Sequence, residues 1–87
     1  MYFVYIIKSK IDDSLYIGYT QDLAIRLRKH NTAKSGYTSR KKPWIVVYTE
    51  QFNDKFPAIK REIFLKEQKN RNFYDSLIES WSGSSVG

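Results

Sequence analysis

"LYIGYTQDLAIRLRKHN", residues 15–31, carries a short apolar run into a glycine, a polar turn and then a strongly basic stretch. Residues 14–20, SLYIGYT, read as a β-strand, because β-branched and aromatic residues dominate the run. Thr20 or Asp22 can cap a helix reaching about Asn31, since a side-chain oxygen there satisfies an otherwise free backbone N–H. Upstream, residues 2–8, YFVYIIK, form a buried strand, and Asp12-Asp13 supplies turn chemistry between the two. The first third is therefore a hairpin. Downstream lie a basic loop, residues 32–43, and a third strand, residues 44–51. A second helix over 54–69 follows, then a break at Asn70–Asn72 and a third helix to about Trp81. The order ββαβαα predicts a small α/β sandwich in which a three-stranded, mainly antiparallel sheet is flanked by three helices. One domain spans 1–81, and SGSSVG, 82–87, reads as a flexible tail.

Eighty-seven residues give a thin core, with net stability expected at ~5–8 kcal/mol. The apolar share, 41%, is too high for a disordered chain. No apolar run approaches the ~20 residues that cross a bilayer, so no membrane association is expected. Cysteine is absent, which removes disulfides and thiolate chemistry and leaves any metal to oxygen and imidazole ligands. A reducing compartment fits this composition, and the expected location is cytoplasmic. Fifteen Lys and Arg against nine Asp and Glu give a net charge of +6. A basic surface on so small a domain points to a polyanionic partner.

If the hairpin loop has two residues at Asp12-Asp13, then Ser9 faces Tyr16, Ile7 faces Gly18 and Tyr5 faces Thr20. Tyr5 and Tyr16 share one side of the hairpin, while Val4, Ile6, Leu15 and Ile17 line the other as a core face. Gly18 leaves room opposite Ile7 where a ligand could enter. On the first helix Leu23 and Leu27 mark the buried stripe. Arg26 and His30, one turn apart, lie beside it. Two adjacent cationic groups there invite an anion such as phosphate, unless His30 stays neutral, with an ordinary pKa of ~6.5. On the second helix Phe56, Ile59 and Ile63 read as the core stripe. Glu62 falls among apolar neighbours, where a carboxylate needs a cation or donors. Lys60, Arg61 and Lys66 offer an ordinary ion pair. A hard divalent ion, which often takes one or two carboxylates and keeps several waters, is the other solution. The loop sets Lys34, Arg40, Lys41 and Lys42 among Tyr37 and Trp44, a backbone-contact strip with stacking aromatics. Its plainer alternative is a solvated loop with Trp44 as a core anchor.

Taken in order, these residues resemble the GIY-YIG nuclease superfamily, particularly its small stand-alone bacterial members and the amino-terminal nuclease domain of the excision-repair nuclease. The first motif stands as Phe3-Val4-Tyr5, with Phe3 at the glycine position, and the second as Tyr16-Ile17-Gly18. Arg26 and His30 in LAIRLRKHN follow, then Glu62 in AIKREIFLKE. The resemblance covers roughly residues 1–78 and implies hydrolysis of a DNA phosphodiester with one Mg²⁺ or Mn²⁺ ion. Under it Glu62 is the metal ligand, Tyr5 activates or holds the attacking water and Tyr16 positions water or phosphate. Arg26 binds the scissile phosphate, and His30 hydrogen-bonds and tunes Tyr5. Gly18 keeps the strand open beneath substrate, with Lys34, Tyr37, Arg40, Lys41 and Lys42 contacting DNA. Phe3, on the face of Tyr5, is expected to narrow the site. The asparagine that the family often carries in its last helix has no clear counterpart, because Asn70 and Asn72 fall early and Tyr74 occupies the place. A nearby cation is expected to lower the Tyr5 pKa. The expected role is an endonuclease of DNA repair or recombination. It would read DNA structure or rely on a protein partner for targeting, since no separate base-reading module is visible. The alternatives are a DNA-binding module on the same scaffold with little or no turnover, and a protein-interaction domain. Oligomeric state does not follow from the sequence.

Overall fold

A computed structural model describes residues 1–84. Three strands, β1 (Tyr2–Ser9), β2 (Leu15–Thr20) and β3 (Trp44–Phe52), form one antiparallel sheet in the order β2-β1-β3. Helix α1 (Leu23–Thr32) follows the hairpin, a single 3₁₀ turn (Tyr37–Arg40) precedes β3, and α2 (Lys55–Gln68) and α3 (Arg71–Ser84) complete the chain. The expected tail overlaps the end of α3, and residues 85–87 lie outside the described residues. Among the described residues no helix is long and apolar enough to cross a membrane.

Strand alternation divides the side chains of β1 between two cores. Val4 and Ile6 join Ile17, Ala58 and Leu65 under α2 and α3. Tyr5 and Ile7 join Trp44 under α1, with Leu23, Leu27 and Tyr16 packed against them. The central strand is thus covered on both faces, which explains its near-continuous apolar run.

The hairpin register differs from the sequence expectation by two residues. Tyr5 lies opposite Gly18 and Ile7 opposite Tyr16. The loop is longer than two residues, because polar side chains close it. The Ser14 N–H donates to Asp12 Oδ1 (3.0 Å), the Ile11 N–H donates to Ser9 Oγ (3.0 Å), and Asp13 takes a left-handed conformation at φ 63°. Aspartate tolerates that region better than most residues. A two-residue shift keeps every side chain on its expected face, so the core face survives unchanged.

Capping sets the start of α1. Asp22 Oδ1 accepts from the Ile25 N–H at 3.0 Å, and Thr20 Oγ1 accepts from the Asp22 N–H at 3.2 Å. The core stripe of α2 is not the expected one. Phe56 is 73% exposed and Ile63 is also exposed, whereas Ala58 and Leu65 are fully buried. The small Ala58 lets the helix approach the sheet closely, and Arg61 turns to β3, where its Nε and Nη2 donate to the Glu50 carboxylate at 2.9–3.1 Å. Trp44 is a core anchor: it is buried, its indole N–H donates to the Thr38 carbonyl (3.0 Å), and its backbone is clamped by the Asn31 side chain.

Candidate active site

A cavity of about 420 Å³ opens at the outer strand β2, where α1 approaches from one face of the sheet and α2 from the other. Tyr5, Tyr16, Gly18, Arg26 and Glu62 all line it. These five positions belong to β1, β2, α1 and α2, and only the tertiary fold brings them to one wall. His30 does not line the cavity. It lies buried behind Tyr5, with Nε2 3.0 Å from the Tyr5 hydroxyl. Tyr16 meets the same imidazole edge-on, at 4.9 Å between centroids.

Gly18 performs a different task from the one its sequence position suggests. A Cβ there would stand 2.6 Å from Tyr5 Oη and 2.8 Å from Cζ. The room above the glycine is therefore occupied by the phenol of Tyr5 and is not an opening opposite Ile7. A side chain would have to displace a buried ring.

Electrostatics keep the Tyr5–His30 pair neutral. Burial raises the Tyr5 pKa well above that of a free phenol, and Tyr16 and Glu62 push the same way. Arg26 pulls it down, as expected of a cation, but is outweighed. Burial, assisted by Arg26, lowers the His30 pKa. At neutral pH a protonated phenol therefore faces an uncharged imidazole.

Glu62 is largely shielded, with 15% of its side chain exposed, and its ion-pair partner is the outward Lys66 at 3.5 Å, one turn on. Lys60 lies over the Phe56 ring and Arg61 is held by Glu50, so neither neutralises it. Among the described residues no cluster of three or more His, Cys, Asp or Glu side chains forms a metal cage. One carboxylate and two phenols on a polar cavity suit a hard ion that retains most of its water.

The expected loop contacts do not line the cavity. Lys41 binds Asp12 and Ser14 and lies over the Tyr37 ring, and Lys42 donates to the Ala33 carbonyl at 2.9 Å. Tyr37 stacks on Tyr16 at 6.4 Å. Lys34 and Arg40 are exposed. Phe3 does not line the cavity, so it does not narrow it. Asn70 and Tyr74 serve the α2–α3 junction. Asn70 Oδ1 accepts from the Asn72 and Phe73 N–H groups, while the Tyr74 hydroxyl donates to the Leu65 carbonyl and accepts from the Lys69 N–H.

Four other polar lining residues escape sequence reasoning: Tyr2, Tyr19, Gln21 and Lys55. Lys55 has a usable signal. It stands seven residues before Glu62, two turns back on the same helical face.

A family model described as the GIY-YIG catalytic domain matches residues 1–75. A UPF0213 protein of Staphylococcus haemolyticus is 42% identical over 66 residues, covering 75% of this chain and 79% of the relative. One from Staphylococcus epidermidis is 44% identical over the same span and coverage. The solution NMR structure of the UPF0213 protein BH0048 from Bacillus halodurans superposes with a TM-score of 0.56 at 33% identity, covering 91% of this chain and 84% of that one.

Proposed function

The chain belongs to the GIY-YIG family, and from that premise we propose that it is a divalent-metal-dependent DNA endonuclease. One observation carries the reading: Tyr5, Tyr16, Arg26 and Glu62 converge on a single cavity, with His30 bonded to Tyr5 from behind. Glu62 would hold one Mg²⁺ or Mn²⁺ ion together with water. An ion bound there supplies a Lewis acid beside the phosphate and offsets charge that develops on its oxygens. The guanidinium of Arg26 makes no hydrogen bond or ion pair among the described residues, so it is free to grip the scissile phosphate.

The neutral Tyr5–His30 pair suits proton relay. With the imidazole proton on Nδ1, Nε2 accepts from the Tyr5 hydroxyl, leaving the phenol oxygen's lone pairs toward the cavity. A water held there by Tyr5 and Tyr16 loses its proton to the Tyr5 oxygen as Tyr5 passes its own to His30. The water oxygen forms a bond to phosphorus and the bond to the departing sugar oxygen breaks. Arg26 stabilises the charge that gathers on the phosphoryl oxygens. The +6 charge and the exposed Lys34 and Arg40 support a DNA substrate. The reading extends to structure-directed cleavage in DNA repair or recombination in the cytoplasm, with targeting by DNA shape or a protein partner.

Nicking of supercoiled plasmid and of branched duplexes with Mg²⁺ or Mn²⁺ tests it. Glu62→Ala and Arg26→Ala are each expected to lower the rate by about 10²–10³-fold, as loss of a positioned charge does elsewhere. Cleavage unchanged in both variants refutes the mechanism. Salt-sensitive binding with no product at any metal concentration would assign the chain instead to DNA binding without turnover.

A further inference from the structure

We infer that Lys55 forms a second phosphate subsite, which grips the DNA strand one linkage or more from the bond being cut. The inference rests on the phosphodiester reading above and deepens it. Lys55 opens α2, is exposed, lines the same cavity as Glu62, and makes no hydrogen bond or ion pair among the described residues. Arg26, on α1, is equally unpaired. The cavity thus presents two free cations from helices that pack on opposite faces of the sheet. Glu62 does not neutralise them, since its ion-pair partner is Lys66.

A single phosphodiester carries one negative charge, and Arg26 is placed to meet it. A second unpaired cation, borne by the other helix, matches a second phosphate. Lys55 and Glu62 share a helical face seven residues apart, so about 10 Å of helix rise separates their backbones. The ammonium is therefore carried away from the carboxylate end of the cavity, in the manner a continuing strand requires. Gln21 and Tyr19, which also line the cavity, add hydrogen-bonding groups for the sugar-phosphate backbone. The substrate class that follows is an internal stretch of strand with charged linkages on at least one side of the cut, as opposed to an isolated terminal phosphate.

The test is binding of a short fluorescein-labelled DNA duplex across a salt series, in metal-free buffer, with Glu62→Ala as background and Lys55→Met added to it. Methionine keeps much of the stem and removes the charge. The slope of log affinity against log salt is expected to lose about 0.9, one phosphate contact, and Lys55→Arg should restore it. A second arm walks one uncharged methylphosphonate linkage along the strand. In protein with Lys55 a single flanking position should weaken binding, and in Lys55→Met that same position should have no effect. An unchanged slope, or the same linkage profile in both proteins, overturns the inference. If plasmid is nicked but Lys55→Met behaves as its background does, only this inference falls. If the Lys55 effects hold but nothing is ever nicked, the endonuclease reading falls and the phosphate subsite stands. Absence of DNA binding overturns both.

Discussion

Tyr5 and His30 are 3.0 Å apart in the folded chain and 25 residues apart along it. Their contact fixes a protonation state as well as a position. Because burial lowers the His30 pKa, the unfolded chain binds a proton there more readily than the folded one. The sign follows from linkage: His30 costs nothing above its unfolded pKa of ~6.5, and stability is lost as pH falls below it. His30→Gln keeps a hydrogen-bonding group without the titration. Thermal melts at about pH 7.5, 6 and 5, which bracket that ~6.5 midpoint, should show the wild-type melting temperature falling more steeply than that of His30→Gln. Parallel curves for the two proteins would contradict a buried neutral imidazole. Such a partner for Tyr5 follows from Arg26-x-x-x-His30 only through the family resemblance. Period-3.6 spacing places His30 near the Leu23–Leu27 stripe but does not say which strand residue it meets.

At the scale of elements, the faces are legible in the sequence and the contacts less so. The two sides of the hairpin follow from alternation alone, and both tyrosines fall on the side expected. The register does not follow, because a shift of two leaves alternation intact and the loop is closed by side chains of Ser9, Asp12 and Lys41 from distant positions. Helix α2 offers two overlapping apolar stripes. Phe56, Ile59 and Ile63 carry the larger side chains, yet Ala58 and Leu65 face the sheet. Close approach at a small residue and the Arg61–Glu50 bridge decide between them, and both are tertiary facts. Leu65→Ala should therefore lose about 2–5 kcal/mol in urea unfolding, as truncation in a packed core does. Phe56→Ala and Ile63→Ala should stay within about 0.5 kcal/mol, as exposed positions do. The reverse order would restore the stripe read from sequence. Glu62 is legible because it belongs to either stripe's margin. Lys55 is not, because an exposed lysine at a helix start looks ordinary until the cavity is seen.

At the scale of the whole molecule, β1 is central in the sheet and enclosed by α1 on one face and by α2 and α3 on the other. Its amides have no edge exposure, so they should exchange only when the entire domain opens. Hydrogen exchange read by NMR should find Val4 to Ile7 the slowest amides, with exchange free energies equal to the global unfolding value. The outward N–H groups of β2 and β3 should exchange through smaller openings. Fast exchange in β1 alongside slow exchange in a helix would show that the two cores come apart separately. The ring of Tyr5 adds a further constraint on how these layers assemble. A hairpin slipped by two residues satisfies both apolar faces, yet it sets that ring against Thr20 or Tyr16, where no notch receives it. Misaligned pairing is thus penalised at the very residue proposed to handle the proton. A chain that has folded at all has, by the same fit, already been proofread for competence.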